Sequence, residues 1–336
     1  MKTYVYFDSG TTNMRGYMLR EDGALICSAK ARLGSRDSAI SGHNAVVVDG
    51  LHALYEELLS TSGKCDSDVE DIYASGMVTS PYGIHEIPHV VAPVSVSEFV
   101  THVQPYFEGT RFHRTVNLVP GLKTDGARLC DINNMRGEEI EAIGAIPEIR
   151  ARFGDEPVGI VLPGSHTHTL LVRGEILEDA LSNFTGELYS AIRKTTILAP
   201  VLEIDVDEYD AEMICMGVEN LRKYGFTRAL YLCHTMRLFD RETPLRRASY
   251  AEGVILGGLC QSLDQSCAER WKTLRRLVVV AEPSTAKLYC SLLRNCQTPL
   301  EISAVESSAE WIPALQGMRY ILQVKREKEQ ACAKRC

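Results

Sequence analysis

The stretch from Tyr4 to Arg15 constrains the fold of this chain more than any other. It opens with an apolar, aromatic run typical of a buried strand, Asp8 ends the run, and Ser9-Gly10-Thr11-Thr12 turns the chain. Met14 to Leu19 predicts a returning strand, and Ala24 to Lys30 predicts a third. Such a turn exposes peptide N–H groups and hydroxyls that suit a phosphate oxygen, and the carboxylate can hold a hydrated divalent cation. The alternative is a plain hairpin whose Asp and Gly serve only the turn.

A second copy of this pattern begins at Val158. An apolar strand from Val158 to Leu162 is followed by the turn Pro163-Gly164-Ser165-His166 and a returning strand from Thr167 to Val172. Aligning Gly10 with Gly164 places Asp8 on Leu162, so the first hairpin alone supplies a carboxylate at this position. A repeat of such long period predicts duplicated domains rather than a solenoid. Two phosphate-binding hairpins facing one another across a cleft are the plan of the actin, hexokinase and Hsp70 ATPase superfamily, which this arrangement resembles.

Length and composition bound the class of protein. A chain of 336 residues predicts one large or two medium domains, here 1–155 and 156–324 with a charged tail at 325–336. The net charge of −8 argues against nonspecific nucleic-acid binding, and no apolar run approaches the roughly 18 residues of a membrane span. The 11 cysteines are scattered, without a C-x-x-C pair, as in a reduced cytoplasmic protein. The chain opens without a secretory leader, so a cytoplasmic location is expected.

Four further segments of the first half matter for function. Residues 49–60 predict a helix with a single apolar face. A short strand from Ile72 ends at Ser75-Gly76-Met77, where a glycine lets the backbone approach a ligand. Residues 133–139 precede a helical stretch that Pro147 is expected to interrupt. The acidic residues at the start of this helix have two interpretations. They can complement the positive end of the helix dipole, as in any ordinary charged helix start, or they can have a catalytic role.

In the second half, small residues between Tyr250 and Ser262 indicate close packing of helices. Leu277 to Ala281 predicts a buried strand that leads through Glu282 into a helix whose first turn contains Pro283. A final amphipathic helix is predicted for Glu310 to Leu322, and the charged tail after it is expected to be frayed or disordered.

Six short stretches of the first 188 residues carry a resemblance to a known family. They are Asp8-Ser-Gly-Thr-Thr-Asn-Met-Arg15, Ser75-Gly-Met77, Val119-Pro-Gly-Leu122, Met135-Arg-Gly-Glu-Glu139, Leu162-Pro-Gly-Ser-His166 and Thr185-Gly-Glu-Leu188. In content and order they resemble the 2-dehydro-3-deoxygalactonokinase family of sugar-acid kinases, over residues 4 to about 188. Met-Arg-Gly-Glu-Glu and Pro-Gly-Ser-His are the most distinctive of them.

The resemblance implies an α/β fold of two duplicated actin-like ATPase (ribonuclease H-like) domains with a cleft between them. It implies ATP-dependent phosphorylation of a small sugar acid, 2-dehydro-3-deoxy-D-galactonate at its 6-hydroxyl, with Mg²⁺ as the metal and a homodimer as a candidate assembly. No nucleic-acid or membrane partner is expected. Asp8 would orient Mg²⁺, and Glu138 would be the catalytic base with Glu139 as the alternate. The implied nucleotide contacts are Gly10, Thr11, Thr12, Gly164, Ser165 and Ser284. The implied substrate contacts are Asn13, Arg15, Gly76, Met77, Arg136 and His166.

Three positions depart from the family pattern. Ser9 stands where the family usually has tryptophan, and His168 stands where a lysine is expected. After Ala281 the family's Gly turn is replaced by Glu282, whose charge would oppose a polyphosphate by several kcal/mol at about 4 Å and an effective dielectric of about 20. His166 and His168 lack a third ligand at recognisable spacing, so they do not predict a metal site. Because of the departure at Glu282, the alternative function is a sugar-acid-binding or regulatory protein with a degenerate nucleotide site. A scaffold protein that keeps only the fold is a third and weaker hypothesis.

Overall fold

The computed structural model describes residues 2–202 and 208–333 of the chain. It contains fifteen strands, twelve α-helices and four short 3-10 helices within these ranges. The strands are β1 (Thr3–Ser9), β2 (Met14–Arg20), β3 (Leu25–Ala31), β4 (Val69–Gly76), β5 (Val90–Val91), β6 (Val94–Ser95), β7 (Gln104–Glu108), β8 (Arg114–Leu118), β9 (Leu122–Asp125), β10 (Ile132–Met135), β11 (Pro157–Pro163), β12 (Thr167–Arg173), β13 (Ile176–Asn183), β14 (Arg276–Ala281) and β15 (Glu301–Glu306). The helices are α1 (Ser35–Ser41), α2 (Ala45–Ser62), α3 (Val96–Phe99), α4 (Glu138–Phe153), α5 (Gly186–Thr195), α6 (Ala199–Leu202), α7 (Ala211–Tyr224), α8 (Phe226–Leu238), α9 (Pro244–Leu256), α10 (Gly258–Glu269), α11 (Pro283–Leu293) and α12 (Pro313–Ala333).

The chain divides into two compact units. Unit 1 comprises residues 1–152, 175–179 and 311–336, and unit 2 comprises residues 153–174 and 180–310. The sequence placed residues 311–324 in the second domain, whereas the structure groups them with the first. The reason is α12, whose Met318 and Ile321 side chains are fully buried and whose backbone approaches α4 closely at Gly144.

Unit 1 is built on a six-stranded sheet of order β3-β2-β1-β4-β8-β7. The first three strands form an antiparallel meander, and β4 and β8 join β1 in parallel. Tyr4 to Phe7 are buried on both faces of β1 because this strand is central. The predicted helix at residues 49–60 lies inside α2, and its apolar face is buried. A three-stranded sheet of order β10-β9-β5 also lies in this unit, and β6 pairs with the part of β13 that falls in unit 1.

Unit 2 repeats the core of this topology. Its strands follow the order β15-β14-β11-β12-β13, with an antiparallel β11–β12 hairpin and β14 and β15 added in parallel. The order matches β8-β4-β1-β2-β3 of unit 1 strand for strand. The repeat predicted from the two hairpin motifs is therefore present in the strand order and directions. Strand β13 crosses the division, since residues 175–179 fall in unit 1.

Small residues bring the helices of unit 2 together, as the sequence predicted. A Cβ atom on Gly217 would lie 2.3 Å from the carbonyl oxygen of Tyr250, and one on Gly253 would lie 2.2 Å from that of Ile214. Helices α7 and α9 therefore pack backbone against backbone. The core around them includes the fully buried Trp271.

Two predictions about helix ends were wrong. Pro147 does not interrupt α4, which continues to Phe153 and buries Ile149 beyond the proline. That burial offsets the hydrogen bond that proline removes from the helix. The tail from Lys325 is helical as far as Ala333, where Lys325 donates to the Tyr73 hydroxyl at 2.8 Å and Arg326 donates to the backbone of Glu21. Residues 334–336 of the predicted tail lie outside the described residues.

Within the described parts of the chain, no helix is both long and apolar enough to cross a membrane.

Candidate active site

The first hairpin presents an exposed peptide turn directly after Asp8. The N–H of Gly10 donates to the carbonyl of Asn13 at 2.8 Å, and the first N–H groups of α1 donate to the carbonyls of Gly10 and Thr11. Residues 10–13 are exposed, and the Asn13 amide donates to the Thr12 hydroxyl at 3.1 Å. The turn is therefore fixed by its carbonyl groups while Thr11 and Thr12 remain exposed, as a phosphate site requires.

Close backbone approaches bring the end of β4 and the start of α4 to this hairpin. Ser9 pairs with Gly76 in the parallel register of β1 and β4, and a Cβ on Gly76 would lie 2.4 Å from the Ser9 carbonyl oxygen. Gly76 also has a φ of +79°, which a residue with a side chain rarely adopts. A Cβ on Gly137 would lie 3.4 Å from the Cα of Gly76. Gly76 is therefore required by its close contact and its φ, and Gly137 by its φ of +123°, for Glu138, at the start of α4, to stand near the first hairpin.

Asp8 and Arg15 form the charged centre of unit 1. They are paired in the β1–β2 register, and the Arg15 guanidinium donates to the Asp8 carboxylate at 3.3 Å. Burial raises the pKa of Asp8 although 18% of its side chain is exposed; Arg15 opposes this effect and Glu138 adds to it by like-charge repulsion. Asp8, Arg15 and Glu138 therefore interact electrostatically within unit 1.

Glu139 is in a different environment from Glu138. Its side chain is fully buried, and both of its carboxylate oxygens accept from the N–H of Gly137, at 3.0 and 2.8 Å. Burial and the neighbouring Glu138 raise the pKa of Glu139 to about 8. A carboxyl group enclosed in this way is tied to the helix start and is poorly placed to contact a substrate. Glu138 is partly exposed and accepts from the Arg136 N–H at 3.3 Å.

Glu141 belongs to the same charged group and was missed by the sequence analysis. Burial raises its pKa to about 8, with repulsion from Asp8 and Glu138 adding and Arg15 opposing. Glu138 and Glu141 are three residues apart, so they share one face of α4. The sequence could have identified Glu141 from this spacing. The same helical geometry places Glu139 on another face of α4.

Arg136 is turned toward the segment at residues 79–89. Its guanidinium donates to the backbone and hydroxyl oxygens of Thr79, both at 2.6 Å, and to the carbonyl of Ile87 at 3.2 Å. It also contacts Nδ1 of His89 at 3.1 Å, and burial together with Arg136 lowers the pKa of His89 to about 4. Met77 is partly buried and begins the short 3-10 turn that leads into this segment. Arg136 therefore shapes the segment in this structure.

The second hairpin exposes Gly164 and Ser165 in unit 2. The Ser165 carbonyl accepts from the N–H of Glu187 at 2.7 Å, and a Cβ on Gly186 would lie 2.2 Å from the Gly164 carbonyl oxygen. The hairpin therefore rests on the first turn of α5. His166 lies 3.6 Å from the Glu187 carboxylate, in unit 2, whereas the other predicted substrate residues lie in unit 1.

A cavity of about 270 Å³ lies beside this hairpin. Its walls include Gly164, Gly186, Glu252, Thr285 and Tyr289. Thr285 lines the cavity in place of the predicted Ser284, which is its neighbour on α11. Glu282, the N-cap of α11, is exposed and is not part of the wall.

The donor set at the first hairpin fits Mg²⁺ held mainly through water and phosphate. In residues 2–202 and 208–333, no three His, Cys, Asp or Glu side chains are arranged to hold a metal ion by themselves. Mg²⁺ bound with a nucleotide usually takes one or two carboxylates and completes its shell with water and phosphate oxygens. Asp8, beside an exposed peptide turn, supplies such a carboxylate.

Known proteins resemble this chain in sequence and in fold. A curated protein, "Probable 2-dehydro-3-deoxygalactonokinase DgoK1" of Rhizobium meliloti (strain 1021), is 26% identical over 196 residues, which span 58% of this chain and 58% of that protein. A crystal structure of a candidate 2-dehydro-3-deoxygalactonokinase from Sinorhizobium meliloti has a TM-score of 0.73 at 21% identity, covering 95% of this chain and 97% of that one. A reductive activator for a corrinoid, iron–sulfur protein has a TM-score of 0.50 at 11% identity, covering 99% of this chain and 62% of that one.

The structural likenesses show the fold and confirm the predicted α/β class. The model of the 2-keto-3-deoxy-galactonokinase family matches residues 8–311, from the first hairpin to the start of the final helix. This range covers far more of the chain than the six stretches that suggested the resemblance. The chain belongs to the 2-keto-3-deoxy-galactonokinase family.

Proposed function

We propose that this protein transfers the terminal phosphoryl group of ATP to the 6-hydroxyl of 2-dehydro-3-deoxy-D-galactonate. The observation that carries the proposal is the group formed by Asp8, Arg15 and Glu138 beside the exposed turn of the first hairpin. Phosphoryl transfer depends on position and on stabilisation of charge, and this group offers both carboxylates and a cation. Family membership supports the sugar-acid substrate.

The roles in unit 1 follow from exposure and charge. Asp8 would hold Mg²⁺ through water, and the metal would supply charge neutralisation to the phosphates. The turn at Gly10, Thr11 and Thr12 would hold the terminal phosphate through the N–H and hydroxyl groups of the two threonines, while the Gly10 N–H fixes the turn through Asn13. Glu138, partly exposed at the start of α4, would accept the proton of the substrate hydroxyl. Arg15, 53% exposed, would bind the substrate carboxylate or the transferring group.

Gly76 and Met77 at the end of β4 and Asn13 in the turn would border the sugar acid. Arg136 would act by holding the segment at 79–89 in place, because its donors already contact Thr79 and Ile87. In unit 2, Gly164 and Ser165 would contact the inner phosphates, with Thr285 and its neighbour Ser284 beside the nucleoside. His166 would then be a further candidate contact for the substrate.

The alternative of a binding protein with a degenerate nucleotide site rested on Glu282. Its exposed position outside the cavity wall weakens that argument, since a solvated charge is screened. No other feature of the described residues favours the alternative over a kinase.

The test is to incubate purified protein with ATP, Mg²⁺ and a panel of 2-keto-3-deoxy sugar acids and to measure ADP release. We expect release with 2-dehydro-3-deoxy-D-galactonate and a product phosphorylated at O6 by ³¹P NMR. Binding of a sugar acid without ADP release from any member of the panel would refute the kinase and support the binding protein. A product phosphorylated elsewhere would refute the position.

A further inference from the structure

A cavity of about 610 Å³ lies in unit 1, between the turn that joins β2 to β3 and the final helix α12. Residues 21–24 form one wall. The other wall is one face of α12, because its residues recur at spacings of three and four: Arg319, Leu322, Gln323, Arg326, Glu327 and Gln330. The seven residues of β2 separate this turn from the first hairpin, so the two turns are about 20 Å apart. The cavity is therefore distinct from the group formed by Asp8, Arg15 and Glu138.

Two guanidinium groups of this cavity are held by main-chain carbonyl groups. Arg319 donates through Nε to the Gly23 carbonyl at 2.6 Å, and Arg326 donates to the Glu21 carbonyl at 2.6 Å. Arg319 also donates to a glutamine of its own helix, and the Arg326 guanidinium lies 5.2 Å from the centre of the Tyr4 ring and bonds its hydroxyl. Within residues 2–202 and 208–333, neither group is ion-paired with a carboxylate. A guanidinium has five N–H donors, so both groups keep donors for a further acceptor.

The three carboxylates of this cavity are exposed, whereas its two guanidinium groups are half-buried. The carboxylates belong to Glu21, Asp22 and Glu327. Asp22 serves the turn itself, since it accepts from a backbone N–H at 2.9 Å and from Arg20 at 3.4 Å. Burial lowers the pKa of Arg319, and the attraction of Asp22 only opposes this effect. Exposed charges are screened by water and salt, whereas a half-buried cation is stabilised by an anion that binds beside it, so the cavity favours anionic groups at the two guanidinium positions.

The spacing of the two arginines indicates the shape of the ligand. Arg319 and Arg326 are seven residues apart, which is two turns and about 10 Å along α12. A single phosphate or carboxylate engages one guanidinium fork, whereas a compound with an anionic group at each end can engage both. Between the arginines lies the buried Leu322, and the amides of Gln323 and Gln330 offer hydrogen bonds to hydroxyl groups. A short polyhydroxy chain with a phosphate at one end and a carboxylate at the other matches these surfaces.

We infer that this cavity is a second ligand site, which binds a phosphorylated sugar acid through Arg319 and Arg326. The product of the proposed reaction belongs to this chemical class, but binding here does not require that reaction. The residues of the predicted charged tail thus contribute Arg326 to a site, although the sequence indicated only a frayed segment. A purely structural pair of arginines would hold the β2–β3 turn against α12 and leave the affinity for such a compound unaffected.

The experiment measures the dissociation constant of 6-phosphogluconate, which carries both anionic groups, by calorimetry without nucleotide. The wild type should bind it at least about tenfold more tightly than gluconate or inorganic phosphate, which each carry one group. Arg319→Gln and Arg326→Gln should each weaken binding by about tenfold. Lys328→Gln is the matched control, because it removes a charge from α12 outside the cavity wall and should change the constant by less than about twofold. Arg15→Gln, in the candidate active site, should also leave the constant within about twofold.

Thermal midpoints separate loss of fold from loss of recognition. If the glutamine variants do not fold, Arg319→Lys and Arg326→Lys decide, because lysine keeps the charge without the planar fork and should weaken binding by about threefold. Wild-type affinity in folded Arg319→Gln and Arg326→Gln, or loss of binding in Arg15→Gln alone, would overturn the inference. Absence of 6-phosphogluconate binding by the wild type, or equal affinity for inorganic phosphate, would overturn it as well. ADP release is measured separately, so the kinase proposal and this inference can fail independently.

Discussion

The two hairpins share a backbone plan but differ in charge. In the first, Asp8 stands opposite Arg15 and the two form an ion pair; in the second, the corresponding register position joins Leu162 to His168. His168 is buried, hydrogen-bonded to Ser182 at 2.9 Å, and burial lowers its pKa to about 4, so it is neutral at pH 7. Both hairpins thus have a peptide turn suited to phosphate, but only the first has an ion pair at this register position. We therefore expect substitutions at the first hairpin to change turnover and those at the second to change nucleotide affinity.

The largest effect is expected for Asp8→Asn. The amide has nearly the same size but lacks the charge that would hold the metal, so kcat should fall by about 10³-fold or more. The thermal midpoint should stay the same or rise, because burial raises the pKa of Asp8 and the amide removes that cost. Asp22→Asn, at an exposed carboxylate in the turn between β2 and β3, is the matched control and should keep wild-type kcat. An unfolded Asp8→Asn would make the residue structural.

Glu138→Gln is expected to lower kcat by about 10²–10⁴-fold with a smaller effect on KM. Glu139→Gln and Glu141→Gln are the controls, because a pKa of about 8 leaves both carboxyl groups largely protonated at pH 7, where an amide is a close substitute. Rates at pH 7 for the three variants sharpen the assignment of the base. If Glu138→Gln keeps full activity and one of the controls loses its activity, the catalytic base is the residue changed in that control.

Gly186→Ala tests the second hairpin. Its Cβ would lie 2.2 Å from the Gly164 carbonyl oxygen, so the turn must move. ATP should bind about tenfold more weakly, a change of about 1.4 kcal/mol, while kcat at saturating ATP stays within about threefold. Gly258→Ala is the control in the same unit, because nothing lies within 4 Å of its Cβ position. A collapse of kcat with unchanged ATP affinity would contradict the proposed division between the hairpins.

The buried Glu139 predicts a pH dependence of stability. Its folded pKa of about 8 exceeds the ordinary 4.5, so between these values the folded protein binds more protons than the unfolded chain. The free energy of unfolding contributed by this group therefore falls as pH rises from about 4.5 to about 8. Thermal midpoints of Glu139→Gln should decline less over this interval than those of the wild type, by a few degrees. Parallel curves for the two proteins would show that Glu139 does not titrate in this way.

The smallest effect is expected for Glu282→Gly. The carboxylate is exposed and lies outside the cavity wall, so removing it should change the dissociation constant of ATP by less than about twofold. Calorimetry on the two proteins measures this. If Glu282→Gly binds ATP about tenfold more tightly than the wild type, the Glu282 charge points at the phosphates. The nucleotide then lies closer to the start of α11 than the cavity indicates.

Local patterns predicted the hairpins, the buried strands and most helices, because apolar periodicity and turn residues act over a few positions. Glu141 was accessible to the same reasoning through its spacing from Glu138, and Glu139 could have been set aside for the same reason. The helical tail after Leu322 was not accessible, because it depends on contacts with Glu21 and Tyr73 at the other end of the chain.

The central claim is that the first hairpin serves turnover while the second serves nucleotide binding. The most direct measurement is the dissociation constant of ATP for Asp8→Asn, determined by calorimetry on the same preparation whose kcat is measured. We predict a constant within about threefold of the wild-type value together with the loss of turnover. Wild-type turnover in Asp8→Asn, or a loss of ATP binding as large as the loss of turnover in a folded protein, would contradict the account.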